Sequence, residues 1–187
     1  MLKYGALRYG AALAMTVALA ACGGSAPTNP LTSGQASCPR IAILADGADV
    51  TRFLDAGVRD LTTMTLDARI AGFDALCDYA GRDRQVLDVR LTPRFQAERG
   101  PAAQGRTADL GWFVAVSNAD DSRVLDRQGF TTRVTFGTNA PRAAVNGQTA
   151  RVQVPIGDGA AAIDYLVRIS FQLTPEELAL NRARGPR

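Results

Sequence analysis

The sequence contains no histidine among its 187 residues. That removes the usual general base, the usual zinc and iron ligand, and the Ser-His and Cys-His nucleophile arrangements. Carboxylate chemistry stays open, but no nucleophile motif accompanies it. The chain is therefore read as a non-enzyme with no catalytic residue, no metal ligand and no cofactor. Aromatic residues are sparse, at 6%. Beyond residue 21 no apolar stretch approaches the roughly 20 residues that a membrane-spanning helix needs. There is no internal repeat, and no large excess of one charge: 21 basic residues stand against 18 acidic ones. A near-neutral surface gives no reason to expect a nucleic-acid partner.

What is present begins at the N-terminus. Lys3 and Arg8 precede an apolar run from Ala11 to Ala21, with no acidic residue in between. A basic segment, a short apolar segment and small residues before a cut describe a secretory signal peptide over residues 1–21. The run closes on Leu19-Ala20-Ala21-Cys22. These four residues resemble the lipobox of bacterial lipoproteins, which implies cleavage before Cys22 and a diacylglyceryl group on its sulfur. One acyl chain holds a protein only marginally, whereas two or three hold it firmly. The resemblance thus implies attachment to a membrane without a span. The competing reading is an ordinary secreted protein whose first cysteine falls near the cut. Residue 23 is Gly rather than Asp, which by resemblance to enterobacterial lipoprotein sorting implies the outer membrane, facing the periplasm.

Without residues 1–21 the chain keeps 19 basic and 18 acidic residues over 166 positions, enough for one domain with its own core. Residues 22–37 are rich in Gly, Ser, Thr, Pro and Asn and carry no charge. Such a segment cannot bury enough apolar surface to order itself and reads as a tether. The domain is placed at 38–187. With Cys22 given to lipid, Cys38 and Cys77 remain as a pair in an oxidising compartment, where a disulfide persists. Two buried free thiols are the alternative.

The domain shows the period of two that marks half-buried strands. Residues 40–45 are a short apolar run, and 46–60 read as a polar loop tucked down by Val50, Phe53 and Leu54. Met64, Leu66, Ala68 and Ile70 share one face, and Gly72 marks a bend before Phe73, Ala75, Cys77 and Tyr79. Leu87, Val89 and Leu91 follow, with Pro93 suggesting a frayed or edge strand. Leu110, Trp112, Val114 and Val116, then Phe130, Thr132, Val134 and Phe136, continue the series. Asn146-Gly147 predicts a hairpin joining 142–145 to 150–154. The last strand, Ile163 to Phe171, reads as the longest. Thr174-Pro175-Glu176-Glu177 then supplies a cap, a first-turn proline and a capping-box glutamate for a short helix.

Seven or eight strands, frequent turns and one C-terminal helix predict an all-β protein, a β-sandwich of immunoglobulin-like kind, with a small closed barrel as the alternative. Cys38-Pro39-Arg40-Ile41-Ala42-Ile43-Leu44 and Phe171-Gln172-Leu173-Thr174-Pro175-Glu176-Glu177-Leu178 resemble a family of small lipoproteins of Gram-negative envelopes. That resemblance implies the architecture and brings no activity or site residues. The carboxylate pairs Asp46 and Asp49, Asp74 and Asp78, and Asp120 and Asp121 lack calcium-loop spacing and read as turn chemistry. Arg182, Arg184 and Arg187 read as compensation of the helix dipole at a solvated terminus, with contact to anionic lipid or cell-wall polymer as the alternative. Two functions follow: an envelope protein anchored by lipid that engages another envelope protein, or a carrier of a small lipophilic ligand.

Overall fold

The computed structural model describes residues 36–55 and 57–185. The lipobox residues Leu19, Ala20, Ala21 and Cys22, the tether as far as residue 35, and Arg187 lie outside them. Nine strands and one helix follow in chain order: β1 (Arg40–Ile43), β2 (Asp49–Phe53), β3 (Met64–Ala80), β4 (Val86–Arg99), β5 (Thr107–Asn118), β6 (Val124–Thr135), β7 (Arg142–Asn146), β8 (Ala150–Pro155), β9 (Tyr165–Phe171) and α1 (Pro175–Arg184). They build a β-sandwich. One sheet has the order β1-β9-β5-β6; the other runs β2-β3-β4, with β7 and β8 both on the far side of β4. The first and last strands pair in parallel, Arg40 opposite Leu166 through Ile43 opposite Ile169. Three consecutive strands lie side by side in the second sheet, whereas an immunoglobulin domain sets A, B, E and D together. The likeness to that fold is one of layers, and the strand order is this chain's own. No helix among the described residues is long and apolar enough to cross a membrane.

Alternation explains the core. Leu66, Ala68, Leu87, Val89, Leu91, Phe95, Leu110, Trp112, Val114, Val134, Val152 and Val154 are all buried between the sheets. Trp112 stacks on Phe130 at 4.5 Å and meets Phe95 at 5.8 Å. Its indole N–H donates to Thr132 Oγ1 at 2.9 Å, and that hydroxyl donates to Gln148 Oε1 at 2.8 Å. Gln148 Nε2 then donates to the Thr131 carbonyl at 2.6 Å. The one polar atom of the largest core residue is thereby satisfied, as burial requires, and the chain ties β6 to the segment between β7 and β8.

That segment corrects the hairpin expected at Asn146-Gly147. β7 and β8 do not fold back on each other; they run in line along β4, opposite Arg94–Glu98 and Val86–Leu91 respectively. The cause is Pro93. It has no N–H to offer that side, so the ladder breaks there and Gly147 N–H donates to the Pro93 carbonyl at 2.8 Å. Pro93 thus sits mid-strand beside a gap, not at a frayed edge. Gly147 is needed for lack of a side chain: a Cβ there would lie 2.8 Å from Pro93 Cγ, 2.9 Å from Phe95 Cε2 and 3.1 Å from Trp112 Cζ2. All three neighbours are rings that cannot yield. Gly147→Ala should destabilise the domain by about 2 kcal/mol, the usual cost of overpacking. Equilibrium urea unfolding measures this, and an unchanged midpoint would refute it.

Three further expectations are revised. Residues 46–60 are not all loop, because β2 pairs with β3 from Asp49 opposite Arg69 onward. The longest strand is β3, at 17 residues, while β9 has 7 and Ile163 belongs to a short 3-10 turn ahead of it. Leu54 is not tucked in but points to solvent. The Gly72 irregularity is present as a register shift between Ile70 and Gly72. The helix begins as its sequence predicts: Thr174 Oγ1 accepts from Glu177 N–H, and Glu177 Oε2 accepts from Thr174 N–H. Cys38 and Cys77 are joined in a disulfide, with their Cα atoms 5.4 Å apart. Cys38 leads into β1 of one sheet and Cys77 lies in β3 of the other, so the bridge staples the two layers.

Candidate functional site

The carboxylates weighed as calcium ligands are engaged elsewhere. Asp46 accepts from Arg182 at 2.8 Å, and Asp49 from Arg184. Asp74 accepts twice from Arg94 and Asp78 accepts from Arg90. Asp120 holds the Ser122 N–H and hydroxyl across a turn. Asp121 takes Ser117 and Arg168. The Ser117 hydrogen bond foremost, then Arg168, holds the Asp121 carboxyl below its ordinary value. Among the described residues no three His, Cys, Asp or Glu side chains gather as a metal site would require. The arginines of α1 are drawn into the body of the domain: Arg182 and Arg184 reach the segment from Asp46 to Asp49.

The outer face of the β2-β3-β4 sheet carries ions in matched rows. Asp74 with Arg94, Asp78 with Arg90, Asp88 with Arg151 and Glu98 with Arg142 pair across neighbouring strands. Arg69 donates to Gln96. A depression of about 820 Å³ crosses this face between Asp49, Arg69, Gln96 and Ala144. The charges of this face pair across its strands, and exposed pairs of this kind contribute little to stability. It is a solvated face. Trp112 and Phe171 are core residues, and Tyr165 packs against the core half-buried.

The opposite conditions hold at the end of the sandwich where β2 turns into β3. Leu54, Val58 and Leu61 are 62%, 46% and 76% exposed. Single exposed apolar side chains are ordinary on a protein surface. Three on one turn, eight positions from first to last, are not. The turn is ordered by its own polar groups. Asp60 Oδ1 accepts from the Thr62 N–H at 2.7 Å and from the Thr62 hydroxyl, and Thr63 Oγ1 donates to the Val58 carbonyl at 2.6 Å. The Thr62 hydroxyl, with the Thr62 N–H second, holds the Asp60 carboxyl below its ordinary value. Val58 and Leu61 are thus presented by a built turn.

Beneath this turn lies a notch of about 320 Å³, lined by Arg52, Leu54, Leu66, Arg99, Ala102, Ala103, Ala108 and Phe136, among others. Its wall from 102 to 105 is the end of a segment laid on the start of β3, with Gly100 N–H on the Thr65 carbonyl and Ala102 N–H on the Met64 carbonyl, both at 3.0 Å. Gly100 permits this approach, since a Cβ there would fall 2.0 Å from Met64 O. Arg52, Leu66 and Arg99 are cross-strand neighbours in one row. That row faces inward, because Leu66 is buried and Arg99 continues the series Leu87, Val89, Leu91, Phe95, Ala97 along β4.

Sequence reasoning missed this end. From the sequence Leu54 reads as interior, and nothing in the neighbouring residues marks Val58 or Leu61 as exposed. The available signal was parity: on β4 every second residue from Leu87 is apolar until Arg99 takes the same face. No protein-family profile matches the chain, and no curated protein or solved structure is significantly similar to it.

Proposed function

We propose that this protein is a non-enzymatic lipoprotein of the bacterial cell envelope, held by acyl chains on Cys22 at the outer membrane and facing the periplasm. Its β-sandwich engages another envelope protein through the turn that carries Leu54, Val58 and Leu61. The lipobox resemblance of Leu19-Ala20-Ala21-Cys22 supports the anchor. The exposed apolar turn supports the adapter role, and it is the observation that carries the reading: an ordered turn gains nothing from solvent-facing leucines unless something covers them. The carrier alternative gains less support. Side chains with 0% exposure, among them Leu87, Val89, Leu110, Trp112 and Val114, occupy the space between the sheets, where a carrier needs room.

Three measurements test this. Cys22→Ser should abolish lipid modification and release the protein from the membrane fraction; continued sedimentation with membranes refutes the anchor. A photo-crosslinking amino acid at position 61 should give one discrete adduct in cells. The same probe at Gln153, on the ion-paired face, should give none. Val58→Asp with Leu61→Asp should remove an interaction measured with the identified partner while leaving the melting temperature unchanged. Equal adducts at 61 and 153, or full binding by the double variant, would refute the adapter role.

A further inference from the structure

Three buried side-chain atoms among the described residues have no hydrogen-bond partner: Asp88 Oδ1, Arg90 Nε and Arg99 Nε. Asp88 and Arg90 are nevertheless in ion pairs, with Arg151 and Asp78. Among the described residues no carboxylate pairs with Arg99, and its guanidinium makes one hydrogen bond, a long one from Nη1 to the Gly105 carbonyl, 3.4 Å. Its neighbour along the row shows what compensation looks like. Arg52 donates to Glu177 at 3.1 Å and to the Asp109 carbonyl at 2.8 Å. The nearby Asp109 carboxylate is no substitute, because Arg133 holds it on the other face at 2.8 and 3.0 Å.

A cation on a core-facing row without a counter-ion costs stability unless something pairs with it. Here it stands in an open notch where apolar walls, Leu54, Leu66, Ala102, Ala108 and Phe136, stand beside a polar rim that includes Gln104, Thr107 and Asp109. The geometry points to a site for a carboxylate carried on a small apolar body, with Arg99 as its counter-ion. The planar guanidinium offers paired donors that match a carboxylate, and turning toward it gives Nε–H the acceptor it lacks. The apolar walls take the body. Two sources share this chemistry, the C-terminal carboxylate of a protein chain ending in an apolar residue and a free alkanoic acid. The choice of the chain end rests on the adapter reading; the site itself does not.

The purified full-length protein, bridge intact, is titrated with hexanoate, hexan-1-ol, and N-acetyl-Ala-Leu as free acid and as amide. Calorimetry gives the affinities, and the Arg99 Nε–H resonance reports contact at the guanidinium. The free acids should bind about tenfold or more tightly than the alcohol and the amide, as charge-assisted pairing requires, and should shift that resonance. Arg99→Met should lose about tenfold in affinity without a lower melting temperature, since it removes an unpaired charge. Should that variant not fold, Arg99→Lys keeps the charge, loses the fork and should bind several-fold more weakly. Equal binding of acid and alcohol, no binding by any probe, or undiminished binding by the variants would overturn the site. Hexanoate binding without binding of the peptide acid would keep the site and overturn the chain-end source. None of these outcomes depends on the adduct at position 61, so the two readings fail separately.

Discussion

Reduction of the Cys38–Cys77 bridge should lower the melting temperature by roughly 10 °C. The bridge joins cysteines 39 positions apart, and in the chain-entropy account a loop of that length contributes about 4 kcal/mol. For a domain of this size each kcal/mol moves the midpoint by about 2–4 °C. The position of the bridge sharpens the expectation. β1 has four residues, and among the described residues its only strand partner is β9. Cys38, immediately ahead of β1, is fastened to the far sheet, so the loss should fall first on the β1 and β9 amides, seen as faster hydrogen exchange there. Cys38→Ala is the better variant than Cys77→Ala. Cys77 is buried, and a free thiol packs there as a small apolar group, whereas truncating it would add a cavity. Cys38→Ala should match the reduced wild type and no longer respond to reductant. A wild-type midpoint indifferent to reductant would show that the bridge does not form in solution.

The sandwich was legible wherever one strand face meets the core and the other meets water. Met64 to Ile70, Leu87 to Leu91, Leu110 to Val116 and Phe130 to Phe136 meet that condition, and each alternates as the sequence implies. The pattern fails where a strand is covered on both faces. β2 is buried over Asp49, Val50 and Thr51 because the sheet interior takes one face and α1 the other. Polar residues then occupy buried places, and no apolar period survives. The Asn146-Gly147 turn was misread for a different reason: what shapes it is Pro93 on another strand, more than fifty residues earlier in the chain. Local chemistry at 146–147 carries no trace of that.

The candidate site divides the same way. Cys38 and Cys77 were found because cysteine parity and compartment chemistry are properties of the whole sequence, independent of the fold. Arg99 has no such mark. Twenty-one basic residues are spread along the chain; parity on β4 can place this one on the inward face, but only the folded structure shows that no described carboxylate pairs with it. The exposed turn was hidden because leucine and valine near a strand look like core. What turns Leu54 out is the register shift between Arg52 and Phe53, a feature of pairing that alternation in one strand cannot report.

Arg184→Ala should destabilise the domain by about 3 kcal/mol, far more than removal of a surface arginine. Asp49 is a buried carboxylate, 4% exposed, and Arg184 donates to it and to Thr51 Oγ1 at 3.2 Å. Removing one member of a buried pair leaves the other charged without its partner, which costs several kcal/mol where burial is complete. The arginine here is partly exposed, and Asp49 makes further contacts, so the lower part of that range applies. The effect should reach beyond the pair. Asn181 Nδ2 donates to the Asp46 and Asp49 carbonyls at 2.8 and 2.7 Å, so one turn of α1 satisfies both the backbone and the side chain at the start of β2. Loss of the arginine should therefore loosen α1 and β2 together, with faster exchange at both, while β5 and β6 stay protected. Arg182→Ala is the control. Its pair with Asp46 is exposed on both sides, and such pairs contribute at most about 1 kcal/mol. Equal effects of the two substitutions would mean that α1 is held by its dipole and surface charge alone, and that the buried pair at Asp49 does not position the edge of the sandwich.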